Sequence, residues 1–78
     1  MTPNVITLAD VSTGRSARIR KLHSHPDVCH RLREMGFCED AVIRCMLNDE
    51  EILICEVCNS RIGLNFAVAK DILVTPHD

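Results

Sequence analysis

The chain changes hydrophobic period several times, and each change predicts an element. Ala17-Arg18-Ile19-Arg20 alternates apolar and charged residues, the pattern of a half-buried strand. Val28, Leu32 and Met35 recur at a four-then-three spacing, one face of an α-helix, while Arg31, Arg33 and Glu34 fall off that stripe. From residue 41 the period returns to two. Over 41–47, Ile43, Cys45 and Leu47 share one face of a strand and Arg44 takes the other. Residues 52–58 and Ile62-Gly63-Leu64 read as further strands, 66–71 as one or two helical turns, and 72–75 as a closing strand. Ahead of these, Leu8-Ala9-Asp10-Val11 reads as a short turn closing at Gly14.

Turn and cap chemistry sets the boundaries. Ser24-x-x-Asp27 is a capping-box-like helix start, with Pro26 in the first turn, where its missing N–H costs nothing. His25 precedes that proline, so the first helical residue can shift by one. Gly36 supplies a left-handed stop, and Phe37 beyond it can fold back on Leu32. Residues 48–51 form a polar turn, and Asn59-Ser60 is a candidate two-residue hairpin loop. A helix of about ten residues is marginal alone in water, so it must lie on the strands. The expectation is a mainly β domain with one main helix, a small barrel of about five strands filling residues 1–78. The segments 42–46 and 52–54 break the usual alternation. They are apolar on both faces, through Val42 and Met46 and through Ile52 and Ile54, so the helix or a partner covers the outer side.

Composition narrows the function more than the fold. Seventy-eight residues allow one domain with a thin core, and no apolar run exceeds four, far short of a membrane span. The first residues lack the basic start and apolar stretch of an export signal, so the expected location is the cytoplasm. Five cysteines, an odd number, then read as free thiols rather than a disulfide framework. The net charge is −2, but residues 1–33 hold six Lys/Arg against two Asp. That basic set (Arg15, Arg18, Arg20, Lys21, Arg31, Arg33) either faces an acidic partner or is an ordinary solvated face.

Candidate chemistry is sparse. Cys55-Glu-Val-Cys58 has the spacing of a zinc or redox pair, but along a strand an odd spacing sends the two thiols to opposite faces. His23, His25, Cys29 and His30 are suitable metal-ligand types for iron or zinc. Cys29 and His30 project about 100° apart on the helix, so the expectation is weak binding or solvated histidines, with no required cofactor. No Gly-rich phosphate loop is present, and Ser24, His25 and Asp27 are accounted for by capping, so no enzyme is expected. Two Phe, no Tyr and no Trp leave no stacking platform for nucleic acid and no aromatic groove for Pro-rich peptides.

The order of these features resembles one family. Leu8 and Gly14, then Ala17-x-Ile19, precede Arg31-Leu32-x-x-Met35-Gly36-Phe37; Ser60-Arg61-Ile62-Gly63-Leu64 and Ala69-x-x-Ile72-Leu73-Val74 complete it. This is similar to the FeoA family, ferrous iron transport protein A, from about Leu8 to Pro76. The resemblance implies an SH3-like barrel with a helix between the first two long strands, and a cytoplasmic accessory to FeoB, the membrane ferrous iron transporter. A similar SH3-like domain closes DtxR-type metal-dependent repressors. Three departures stand out. Glu39-Asp40 replaces a common Pro-Gly turn, Asn59 a frequent Gly, and the cysteines exceed the pattern.

The expected function is therefore contact with the cytosolic domain of a FeoB-like transporter, without membrane insertion or nucleic-acid binding. The alternatives are a metal-binding sensor or chaperone, or a stand-alone regulatory domain. The expected working surface is Arg18, Arg20, Arg31 and Arg33 with Val42, Met46, Ile52 and Ile54, a homodimer being the rival occupant of the apolar part. Leu32, Met35, Gly36 and Phe37 are expected to be structural.

Overall fold

Each alternating stretch forms a strand, and the strands make one antiparallel sheet that carries the core on its inner face. The computed structural model describes residues 4–77. In chain order the elements are β1 (Ile6–Thr7), a 3-10 turn (Leu8–Asp10), β2 (Ser16–Leu22), α1 (Pro26–Glu34), β3 (Val42–Asn48), β4 (Ile52–Val57), β5 (Ser60–Asn65), α2 (Phe66–Ala69) and β6 (Ile72–Pro76). The sheet order is β1-β6-β2-β3-β4-β5, every neighbouring pair antiparallel. That makes six strands where the pattern predicts about five; β1, two residues long, is too short to carry a period. The one-turn α2 packs against β5 and the 3-10 turn, bringing the β5 end of the sheet round towards β1. A single core cluster fills the interior, with Leu8, Ala17, Ile19, Phe37, Cys45, Leu53, Cys55, Ala69, Ile72 and Val74 wholly covered.

The helix begins one residue later than a Ser24 cap requires. Proline at the first helical position makes His25 the N-cap, and its Nδ1 accepts the Asp27 N–H at 3.5 Å. The predicted Ser24 capping box does not form: the Ser24 hydroxyl is buried with no hydrogen-bond partner among the described residues. The stop is as predicted. Gly36 sits at φ +102°, the Phe37 N–H donates to Leu32 O at 2.8 Å, and the Gly36 N–H donates to Arg33 O at 3.1 Å. These are the two bonds of a Schellman motif. Leu32 and Phe37 are core residues, as expected, whereas Met35 is 40% exposed. Cys29 takes the inner position instead, and Met35 stands at the rim of the helix. In a helix this short the four-then-three spacing does not decide which edge of the stripe turns inward.

Two one-residue bulges adjust the parity of the long strands. In β2, Ile19 pairs with Val74 but Lys21 with Leu73, which makes Arg20 the extra residue and turns Leu22 inward. In β3, Cys45 pairs with Cys55 but Leu47 with Ile54, so Met46 is the extra residue. The bulge overturns the placing of Leu47 beside Ile43 and Cys45. Leu47 is 40% exposed, and Asn48 turns in to donate from Nδ2 to Ala9 O at 3.0 Å and Val11 O at 2.9 Å. The hairpin loop also moves by one. Cys58 and Asn59, both at positive φ (51° and 66°), form it, and Val57 pairs with Ser60. Two successive positive φ values are those of a type I′ turn, whose twist suits the flanking strands.

Candidate interaction surface

The outward positions of β3 and β4 are the largest departure from a self-contained barrel. Val42, Leu47 and Ile52 are 40%, 40% and 43% exposed; Met46 and Ile54 are half-buried beside Leu47 and Ile52, while Val42 stands apart at the far end of β3, beyond Arg44. Register explains the continuity. Leu47 faces Ile54, which faces Gly63, and the Ile52 Cδ1 lies 3.5 Å from where a Gly63 side chain would begin. A glycine on β5 thus leaves room for the isoleucines to lie flat across the strand. Next along the sheet, Arg44 faces Glu56, which faces Arg61, a row of alternating charge. The helix does not cover this face. It lies over β5 and α2, where Val28, Leu32, Met35, Leu64 and Val68 line a mostly apolar groove of about 250 Å³. Leu47 and this groove are the surface features that pattern reading misses, because a bulge and a helix orientation leave no periodic signal.

The four arginines do not form one free basic patch. The loop between α1 and β3 brings carboxylates to Arg20 and Arg33 and a backbone carbonyl to Arg18. The Arg18 guanidinium donates to Asp40 O at 3.0 Å. Arg20 donates from Nε to Thr75 Oγ1 at 3.1 Å and reaches Asp40 Oδ1 at 3.4 Å. Arg33 makes a two-pronged contact with Glu39, at 2.9 and 3.3 Å. The hydrogen bond from Arg33, helped by Glu39's own backbone, holds the Glu39 carboxyl below its usual range. Arg31 is exposed and borders the apolar groove.

The predicted ligand types are not brought together. Among the described residues no group of three or more His, Cys, Asp or Glu side chains is placed to hold a metal ion. His23 precedes α1 and is exposed, and His25 is spent on the helix cap. His30 lies 3.3 Å from Glu34 on the outer side of the helix. Cys29 points inward and donates its S–H to Ser24 O at 3.1 Å. The C-x-x-C pair is split: Cys55 is wholly buried and Cys58 is exposed in the hairpin turn. Burial pushes the Cys55 thiol up to about 12, with the neighbouring Cys45 adding to the shift.

A six-stranded antiparallel sheet, one helix between β2 and β3, and a Schellman stop at Met35-Gly36-Phe37 together match a known domain. The family model of the FeoA domain matches residues 6–76. The chain belongs to the FeoA domain family. Its fold is SH3-like, as solved FeoA structures show. A crystal structure of an iron uptake regulatory protein (FeoA) superposes with a TM-score of 0.88 at 17% identity, covering 95% of this chain and 100% of that one. The FeoA protein of Chlorobium tepidum gives 0.85 at 17% identity, over 94% and 71% of the two chains. A manganese-dependent transcriptional repressor gives 0.88 at 16% identity, covering 99% of this chain but 44% of that one. No curated protein matches the chain in sequence. At such identities the structural likeness carries the fold, and the family model carries the membership. Two of the departures noted in the sequence sit at positive φ. Asp40 adopts φ 71°, and Asn59 adopts φ 66°. Both side chains are among the few that tolerate this region.

Proposed function

We propose that this FeoA-domain protein serves ferrous iron transport as a non-catalytic accessory, docking on the cytosolic domain of a FeoB-like membrane transporter. One observation carries the docking surface: the uncovered apolar run Leu47, Ile54 and Ile52 on the outer face of β3 and β4. Contiguous apolar surface that the core does not use is a typical contact site, and nearby charge orients the encounter. Of the arginines, Arg31 is the one suited to a partner's acidic groups. Arg18, Arg20 and Arg33 are engaged within the fold, so charge reversal at Arg33 sets a carboxylate against Glu39 and disturbs the loop as well.

The test is a pull-down with the transporter's cytosolic domain, with and without ferrous iron. Leu47→Glu and Ile52→Glu should abolish capture, and Arg31→Glu should weaken it, each with an unfolding midpoint near that of the wild type. Full capture by both glutamate variants would move the working surface elsewhere. Capture lost together with a dimer, read by sedimentation, would assign the apolar face to a second copy. The same reading expects no tight metal site. Anaerobic titration with ferrous iron and zinc should give no one-to-one binding below micromolar, and one equivalent lost on substituting His23, His25, Cys29 or His30 would reverse that expectation.

A further inference from the structure

The thiol that the C-x-x-C motif leaves outside has a different neighbour. Cys38 and Cys58, the two exposed cysteines, both pack on Gly36. The Cys38 S–H donates to Gly36 O at 3.8 Å, and the Cys58 sulfur lies 3.6 Å from the point where a Gly36 side chain would begin. The covalent size of a single residue then bounds the two sulfurs to within about 11 Å of each other, less unless all the vectors align. Changing χ1 swings each sulfur by up to about 3 Å. Gly36 itself has no side chain to stand between them, and its φ of +102° disfavours one.

We propose that Cys38 and Cys58 form a redox-responsive thiol pair that a small-molecule disulfide of the glutathione class closes into an intramolecular bond. One thiol, as thiolate, attacks a sulfur of the oxidant and expels one glutathione thiolate. The second, having lost its proton to solvent, attacks the protein sulfur of that mixed disulfide and expels the other. Two cysteine thiols thus lose two electrons and two protons, and glutathione disulfide gains them as two thiols. The bond ties the stop of α1 to the β4–β5 hairpin tip. The remaining thiols are placed to stay out of it. Cys45 and Cys55 face each other in register but are wholly buried, and Cys29 is covered by the helix.

The test uses the full native chain with oxidised glutathione, followed by acid quench, alkylation and mass spectrometry. The expected product is two hydrogens lighter, carries no glutathione, and yields a Cys38–Cys58 cross-linked peptide without reduction. Cys29, Cys45 and Cys55 become alkylated only after denaturation. Cys38→Ser and Cys58→Ser, both surface changes, should each lose the cross-link and keep one glutathione on the remaining partner, with circular dichroism unchanged. Two separate glutathione adducts on the wild type, a cross-link to Cys45 or Cys55, or disulfide-linked dimers as the main product would each overturn the pairing.

Discussion

Gly36 holds a conformation that other residues resist, and the reason is local. At φ +102° a side chain clashes with its own backbone, while the space beyond is ordinary: an added Cβ would meet Val57 at 3.5 Å and Cys58 at 3.6 Å. Gly36→Ala should therefore cost about 1–2 kcal/mol, from backbone conformation rather than crowding. Gly36→Asn should recover part of that in a urea titration, since Asn visits the left-handed region more readily. Cys55 gives a second prediction at this scale. Its folded-state thiol stands at about 12 against an ordinary 9.0, chiefly through burial. The folded state therefore binds this proton more tightly than the unfolded chain does. The stability it represents is complete below pH 9 and falls between pH 9 and 12, with a slope of up to about 1.4 kcal/mol per pH unit. Thermal midpoints across that range should drop less steeply in Cys55→Ala than in the wild type; parallel curves would take Cys55 out of the account.

α1 is secured at its end and along one narrow side. Leu32 is 2% exposed and Cys29 6%, while Val28 and Met35 sit at the rim. Leu32→Ala should cost about 2–5 kcal/mol, seen as a lower denaturation midpoint, because it removes a buried side chain from the core. Met35→Ala, at a half-open position, should cost far less. Those two outcomes separate what the sequence made legible from what it hid. Gly36 and Phe37 announce the helix stop through residue chemistry, and the stop is where they put it. Met35 shares the spacing of Leu32, yet spacing says nothing about which edge of a three-turn stripe faces in. Likewise Ala17 and Ile19 are core positions because the alternation is unbroken up to them. Leu47 is not, because an extra residue in the ladder reverses the alternation after Cys45. The His25 cap follows from proline sterics, which the Ser24 signal obscured.

Across the whole molecule, the outer face of β3 and β4 is hydrophobic at its Leu47–Ile54–Ile52 end, while the ends of the sheet are brought together through α2 and the 3-10 turn. The doubled apolar character of residues 42–54 was readable from the sequence, but which side the helix would cover was not, since that depends on where α1 meets β5 and α2. The paired arginines were hidden for a similar reason: Glu39 and Asp40 read as a turn, and only the three-dimensional path of that turn brings them to Arg33 and Arg20. The bulge at Met46 has a consequence for how such a surface arises. Chain length, as well as residue type, sets what this hairpin shows to solvent. Removing the one extra residue would return Leu47 to the interior and turn Asn48 out, away from the carbonyls of Ala9 and Val11 that it now binds. A single-codon deletion would then withdraw Leu47 from the sticky face and unfasten the turn before β2 in one event. For a lineage carrying this domain, which way position 47 faces is decided by an insertion–deletion step, which point substitutions that keep the register do not reach.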